Sequence, residues 1–142
     1  MLENEEIIEK FKKSITSTVK SIGKSEDIEI NFVDENPSID GKQINLASPN
    51  LSSLKNNLNY IRAEADTMAL EIRLHNSQIH KQYQRKNGTA NEIFNVLEQS
   101  RIEAKGSEIF KGVKLNIFNK HNKDINDDIN KKSIDSLILA FK

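Results

Sequence analysis

Between Ser48 and Arg85 the apolar positions step alternately by four and three residues, and this regularity constrains the fold more than any other feature of the chain. Leu54, Leu58, Ile61, Ala65, Met68, Ile72, His75 and Ile79 fall on one stripe of an α-helix, because side chains three and four apart share a face. Ser48-Pro49 supplies a capping hydroxyl followed by the residue best suited to the first helical position. The pattern predicts one helix over 48–86, about 35 residues and roughly 50 Å long at 1.5 Å per residue. Its heptad-like seam calls for a neighbouring helix at a shallow angle.

Other elements must supply that neighbour. Ile7, Ile8, Phe11, Ile15, Val19 and Ile22 recur at helical spacing, and Gly23 stands where a left-handed cap would end a helix over 1–23. Ile28 to Val33 alternates as a strand does, Asn36-Pro37 and Asp40-Gly41 mark turns, and Gln43 to Leu46 can return as a partner, so 28–47 reads as a small β-hairpin. An isolated hairpin is marginal in water, so Ile28, Ile30 and Phe32 are expected against a helix. Asn87-Gly88 breaks the long helix, and Thr89 can cap a following one whose Ile93, Phe94, Leu97 and Ala104 face the core until Gly106. A short helix carries Ile109, Phe110, Val113 and Ile117. Asn119 to Asn130 reads as a polar loop, and a last helix buries Ile134, Leu137, Ile138 and Phe141. The expected fold is a mainly α helical domain over 1–142, built on one long central helix, with a small β-hairpin near the N-terminus and shorter helices over 89–142.

Charge and composition exclude several classes. Lys plus Arg and Asp plus Glu each number 21, so the net charge is zero and there is no global attraction to nucleic acid or an anionic membrane. With no cysteine there is neither a disulfide nor a thiolate metal site. The acidic start Met1 to Glu6 lacks the pattern of a signal peptide, and no segment approaches the ~20 apolar residues of a membrane span. A cytoplasmic protein is expected.

Several motifs begin and fail. Gly23-Lys24-Ser25 resembles the tail of a phosphate-binding loop, but Thr18 stands at the leading glycine position and a helix, not a strand, precedes it. Asp124, Asn126 and Asp128 occupy the first ligand positions of a calcium loop, yet Ile129 replaces its glycine and Asp135 its closing glutamate. His75 and His80 invite a metal reading, but five residues apart on one helix they diverge by about 140°. A metal shared between them is therefore not expected. His75 reads as a half-buried, hydrogen-bonded residue of the seam with Glu71 one turn earlier. His80 shares a polar stripe with Arg62, Asp66 and Arg73, either a solvated face or a partner contact. No catalytic residues emerge, since there is no Cys and no elbow serine.

One ordered series exceeds what helix-building requires: Ala65-Asp66-x-Met68-Ala69-Leu70, His75, His80, Phe94, Glu98-Gln99-x-Arg101-x-Glu103-Ala104-x-Gly106, Gly112-Val113 and Asn116. It resembles the N-terminal domain of the CobT family, a subunit of aerobic cobaltochelatase. Phe11-Lys12, Ile22-Gly23, Glu29-Ile30-Asn31-Phe32, Pro37, Gly41 and Leu46 continue the likeness. Glu98 and Arg101 lie one turn apart and can pair, while Glu103 points elsewhere, so these charges either tie helices together or form a partner surface. Lys105 departs from the family's aliphatic residue, and Arg85-Lys86-Asn87-Gly88 from its usual break.

The resemblance implies a part in cobalamin biosynthesis, where a ligase of three subunits uses ATP to insert cobalt(II) into hydrogenobyrinic acid a,c-diamide. It implies as partners the AAA+ subunit CobS and the large subunit CobN, with self-association possible. ATP, magnesium and cobalt belong to the whole complex, and none is expected as a cofactor of this chain. The family's Asp-x-Ser-x-Ser magnesium motif, part of a C-terminal von Willebrand-like domain, does not occur in the sequence. The chain is thus expected to be a non-catalytic assembly domain. The competing readings are a stand-alone helical adaptor and a metal-delivery module using His75 and His80.

Overall fold

The structure, a computed structural model, describes residues 1–128 and Ile138. It is mainly α, with a small sheet near the N-terminus: α1 (Leu2–Gly23), β1 (Glu29–Val33), β2 (Ser38–Asp40), β3 (Gln43–Ala47), α2 (Leu51–Leu74), α3 (Ser77–Gln82), α4 (Gly88–Ile109) and α5 (Lys111–Asp128). Contacts divide the chain into two compact units, Met1–Arg73 and Leu74–Lys142. The last helix expected around Ile134, Leu137, Ile138 and Phe141 falls, Ile138 apart, outside the described residues, as does Asp135.

In the first unit α1 forms where its apolar stripe predicts, with Ile15, Val19 and Ile22 buried. Its end differs from expectation. Lys24, not Gly23, takes the left-handed conformation (φ 53°, ψ 42°). Lys24 N–H donates to Ser21 O and Ser25 N–H to Lys20 O, a Schellman cap that satisfies two terminal carbonyls. Gly23 is instead a buried helical residue, and a Cβ there would overlap Ile28 Cδ1 and come within 3.5 Å of the Ala69 carbonyl. Glycine serves close approach to Ile28 here rather than handedness.

The sheet is not the simple hairpin the alternation suggests. Its order is β1-β3-β2, with β1 parallel to β3 (Ile30 opposite Ile44, Phe32 opposite Leu46) and β2 antiparallel to β3 (Ile39 opposite Ile44). The chain passes β3's place, makes β2, and returns through Gly41, whose φ of 57° suits a two-residue hairpin turn. Ile44 and Leu46 are wholly buried. The other face carries a polar ladder in which Asn31 Nδ2 donates to Asn45 Oδ1 (3.3 Å) and Asn45 Nδ2 to Ser38 Oγ (3.1 Å). As expected, the apolar face lies against a helix: Phe32 sits beside α1, with Lys12 Nζ 5.4 Å from its ring centroid.

α2 begins at Asn50, not Ser48. Asn50 Oδ1 accepts from Ser53 N–H and Ser53 Oγ accepts from Asn50 N–H, both at 2.9 Å, a reciprocal capping box. A kink at Asn57 interrupts the helix. Beyond it Ile61, Ala63, Ala65, Ala69 and Leu70 are buried, and full burial of Leu70 alone contributes about 2 kcal/mol. The single helix expected over 48–86 does not form, because α2 stops at Leu74 and the chain restarts as α3.

In the second unit α4 is capped by Asn87, whose Oδ1 accepts from Ala90 N–H (3.0 Å), so Thr89 is not the cap. Leu97 and Ala104 are exposed, and the buried positions are Ile102, Glu103 and Gly106, the last inside the helix rather than at its end. Phe110, in extended conformation, separates α4 from α5. The polar stretch after Asn119 is helical to Asp128, not a loop. Its stripe is Val113, Ile117 and His121, spaced by four, and the part-buried Lys120–Asp124 pair (3.1 Å) links two successive turns. Asp124, Asn126 and Asp128 consequently lie on a helix and cannot wrap a cation as a loop does.

Candidate functional site

The break between α2 and α3 builds the site. Asn76 is extended (φ −116°, ψ 103°), and its Oδ1 accepts from the backbone N–H groups of Gln78 and Ile79, each at 3.1 Å. An asparagine cap satisfies donors that a fresh helix start leaves open, so the chain turns here even though the apolar stripe continues. His75 therefore sits at the end of one helix and His80 on the next. The 140° divergence of an unbroken helix disappears, and the two rings meet edge to face with centroids 4.9 Å apart.

α4 closes the cluster. Phe94 stacks on His80 (4.6 Å between centroids, 16° between planes), the Arg85 guanidinium lies 5.9 Å from the Phe94 centroid, and His80 Nε2 donates to Asn95 Oδ1 at 2.8 Å. Glu98 Oε1 lies 3.0 Å from His75 Nδ1. The same carboxylate accepts a two-pronged bond from Arg101, Nε to Oε2 and Nη2 to Oε1, both at 2.7 Å. Arg101 Nη2 also donates to the Leu74 carbonyl (3.1 Å), a bond within the second unit. His75 was expected to find Glu71; it finds Glu98 instead.

This geometry shapes the electrostatics. The hydrogen bond from Arg101 is the main reason that Glu98 is held down at about 2, against an ordinary 4.5; partial burial opposes it and the His75 bond assists. The same pairing raises Arg101 above its usual range. Glu98 is therefore a fixed, fully ionised carboxylate beside two imidazoles. Among the described residues, His75, His80 and Glu98 are the group of three whose ligand atoms lie close enough to hold a metal ion, all within 4.8 Å of one another.

The remaining site candidates are dispersed. Arg62 is exposed, Asp66 is buried at 4% exposure, and Arg73 Nη1 donates to the Ile22 carbonyl at the end of α1 (3.2 Å). Within α2, Arg62, Asp66 and Arg73 thus form no continuous wet stripe, because Asp66 is buried. Glu103 is buried too, bonded by Gln99 Nε2 (2.9 Å) and by His121 Nε2. His121 carries a buried Nδ1 with no hydrogen-bond partner among the described residues and lies with Glu103, Lys114 and Phe118 along a groove between α4 and α5. Sequence reasoning passed over Asn76, Asn95 and His121. The signals were present: asparagine before a fresh turn, and a histidine four residues beyond Ile117 on the buried stripe.

Gly23-Lys24-Ser25 is a Schellman cap and not a phosphate cradle. The fold and this cluster define a mainly α protein whose polar residues at the α2–α3 break are organised around histidine and carboxylate. The family model described as cobalamin biosynthesis protein CobT matches residues 5–137, and the chain belongs to the CobT family, a subunit family of cobaltochelatase. No solved structure matches the chain.

Proposed function

We propose that this chain is a non-catalytic assembly domain of cobaltochelatase, working in the cytoplasm within a ligase that inserts cobalt(II) into hydrogenobyrinic acid a,c-diamide at the expense of ATP. The family match over residues 5–137 carries the reading. The domain contacts the AAA+ subunit CobS and the large subunit CobN, while ATP and magnesium are handled elsewhere in the complex. The geometry supports a scaffold: Asp66, Arg73, Glu98, Arg101 and Glu103 are buried or engaged within the chain. Arg62, exposed on α2, is the side chain best placed for a partner contact. Exposed Leu115 and Phe118 on α5 add apolar surface that a partner can cover.

The test is reconstitution. The chain is co-expressed with CobS and CobN, and association is followed by affinity capture and size-exclusion chromatography. Stable co-elution with either subunit, weakened by Arg62→Glu, is the expected result. A folded chain that joins neither subunit refutes the proposal and leaves the stand-alone adaptor in its place.

A further inference from the structure

We infer that His75, His80 and Glu98 form a binding site for a divalent first-row transition-metal ion. The three donors come from three different places, the end of α2, α3 and α4, and converge only because the chain breaks at Asn76. Around an ion with ligand bonds of 2.0–2.1 Å, tetrahedral donors stand about 3.4 Å apart. His75 Nδ1, which donates its proton to Glu98 Oε1 at 3.0 Å, becomes a ligand by releasing that proton to solvent as the ion binds, and the donor atoms of the three residues lie within 4.8 Å of one another. The spread of 4.8 Å exceeds that spacing by roughly 1.4 Å, the distance the side chains must close around an ion.

The surroundings are those a metal site uses. Because His80 donates its Nε2 proton to Asn95, its Nδ1 keeps a lone pair, and the bond fixes the ring's tautomer. Phe94 holds the plane of that ring by stacking. Arg101 orients the Glu98 carboxylate and is itself anchored on the Leu74 carbonyl. A purely structural account explains His75, Glu98 and Arg101 as an ion-pair network. It gives no reason for His80, which bonds to none of them yet has its ring brought against His75.

The donor set selects the ion class. Two imidazoles and one carboxylate favour zinc, cobalt, nickel or copper over magnesium or calcium, which take oxygen ligands. Three protein ligands leave a fourth position for water or an exchangeable group. The site is thus built for an ion that can be delivered or handed on, not one sealed in as a structural staple.

Titration of the full chain with cobalt(II) chloride tests this, since the visible absorption of cobalt intensifies when the six-coordinate aquo ion becomes four-coordinate. One saturable site is expected, unaffected by excess magnesium chloride. Asn95→Ala should weaken binding about 10–100-fold, as loss of an outer contact does, and His80→Ala by more. His80→Ala is the cleanest variant because it leaves the His75–Glu98–Arg101 bonds in place, and circular dichroism verifies its fold. Absence of a saturable change in folded wild type, unchanged affinity in His80→Ala, or displacement by magnesium each overturns the inference. Its failure is separable from failure of the assembly role: a chain that binds cobalt but ignores CobS and CobN loses only the latter, and the reverse outcome loses only the former.

Discussion

Glu98→Gln isolates the contribution of one carboxylate to stability as pH falls. In the folded chain Glu98 is held at about 2, against an ordinary 4.5. A depressed carboxylate stabilises the fold at pH values above its unfolded pKa, and that stability is lost as the pH drops through the folded value. The window therefore runs from about pH 4.5 down to about pH 2. A shift from 4.5 to about 2 corresponds to about 3 kcal/mol in full, of which about 2 is gone by pH 3. The Arg101 side chain is 43% exposed, and solvent screening reduces the loss at pH 3 to about 1 kcal/mol. Urea denaturation followed by far-UV circular dichroism at pH 6 and pH 3 measures it. The quantity that isolates Glu98 is the pH-dependent loss in wild type minus that in Glu98→Gln. A difference of about 1 kcal/mol is expected, the wild type losing more. Parallel losses in the two proteins would refute the account of Glu98 as a carboxylate fixed by Arg101.

Three further outcomes are expected. Asn76→Ala removes the acceptor for two backbone donors and should cost about 1 kcal/mol in thermal or urea unfolding; an unchanged midpoint would show that the cap does not hold the break. At the end of α1 two neighbouring substitutions act in opposite directions: Lys24→Gly relieves a left-handed penalty of about 1–2 kcal/mol at an entropic cost of about 0.5–1, a net gain, whereas Gly23→Ala forces Ile28 aside and costs about 1–3 kcal/mol. Urea midpoints moving the same way in both would contradict the assignment of the cap to Lys24. For the buried hydrogen-bonded pair, Glu103→Ala takes the acceptor from His121 Nε2 and should cost about 1–3 kcal/mol, while Glu103→Leu combined with His121→Leu costs less; a double variant worse than the single would sink that reasoning.

Local chemistry in the sequence anticipated much of this fold and little of its site. The stripe Ile15, Val19 and Ile22 marked α1 because a one-sided apolar face is enough to define a packed helix. The pairing of 28–33 with 43–47 was legible from alternation, but its parallel sense was not, since strand direction depends on where the intervening chain goes and β2 is only three residues long. Counting apolar residues ended α5 too early because its buried stripe continues through His121, a polar residue kept inside by Glu103. Periodicity carried the long helix through His75 to Ile79, but periodicity reports which face is apolar and not whether the backbone is continuous. Asn76 decided that question through two hydrogen bonds that no spacing rule registers.

The interruption at Asn76 also changes how relatives of this chain should be read. Two histidines five residues apart are uninformative on a continuous helix, so their retention in another sequence says little about whether the rings can face one another. The telling position lies between them. A relative that keeps both histidines but replaces the asparagine with a strong helix former such as alanine or leucine would carry the same two imidazoles on opposite flanks of one rod. Geometry at this cluster is thus inherited through a capping amide, and lineages can gain or lose the pairing of the rings without altering either ring.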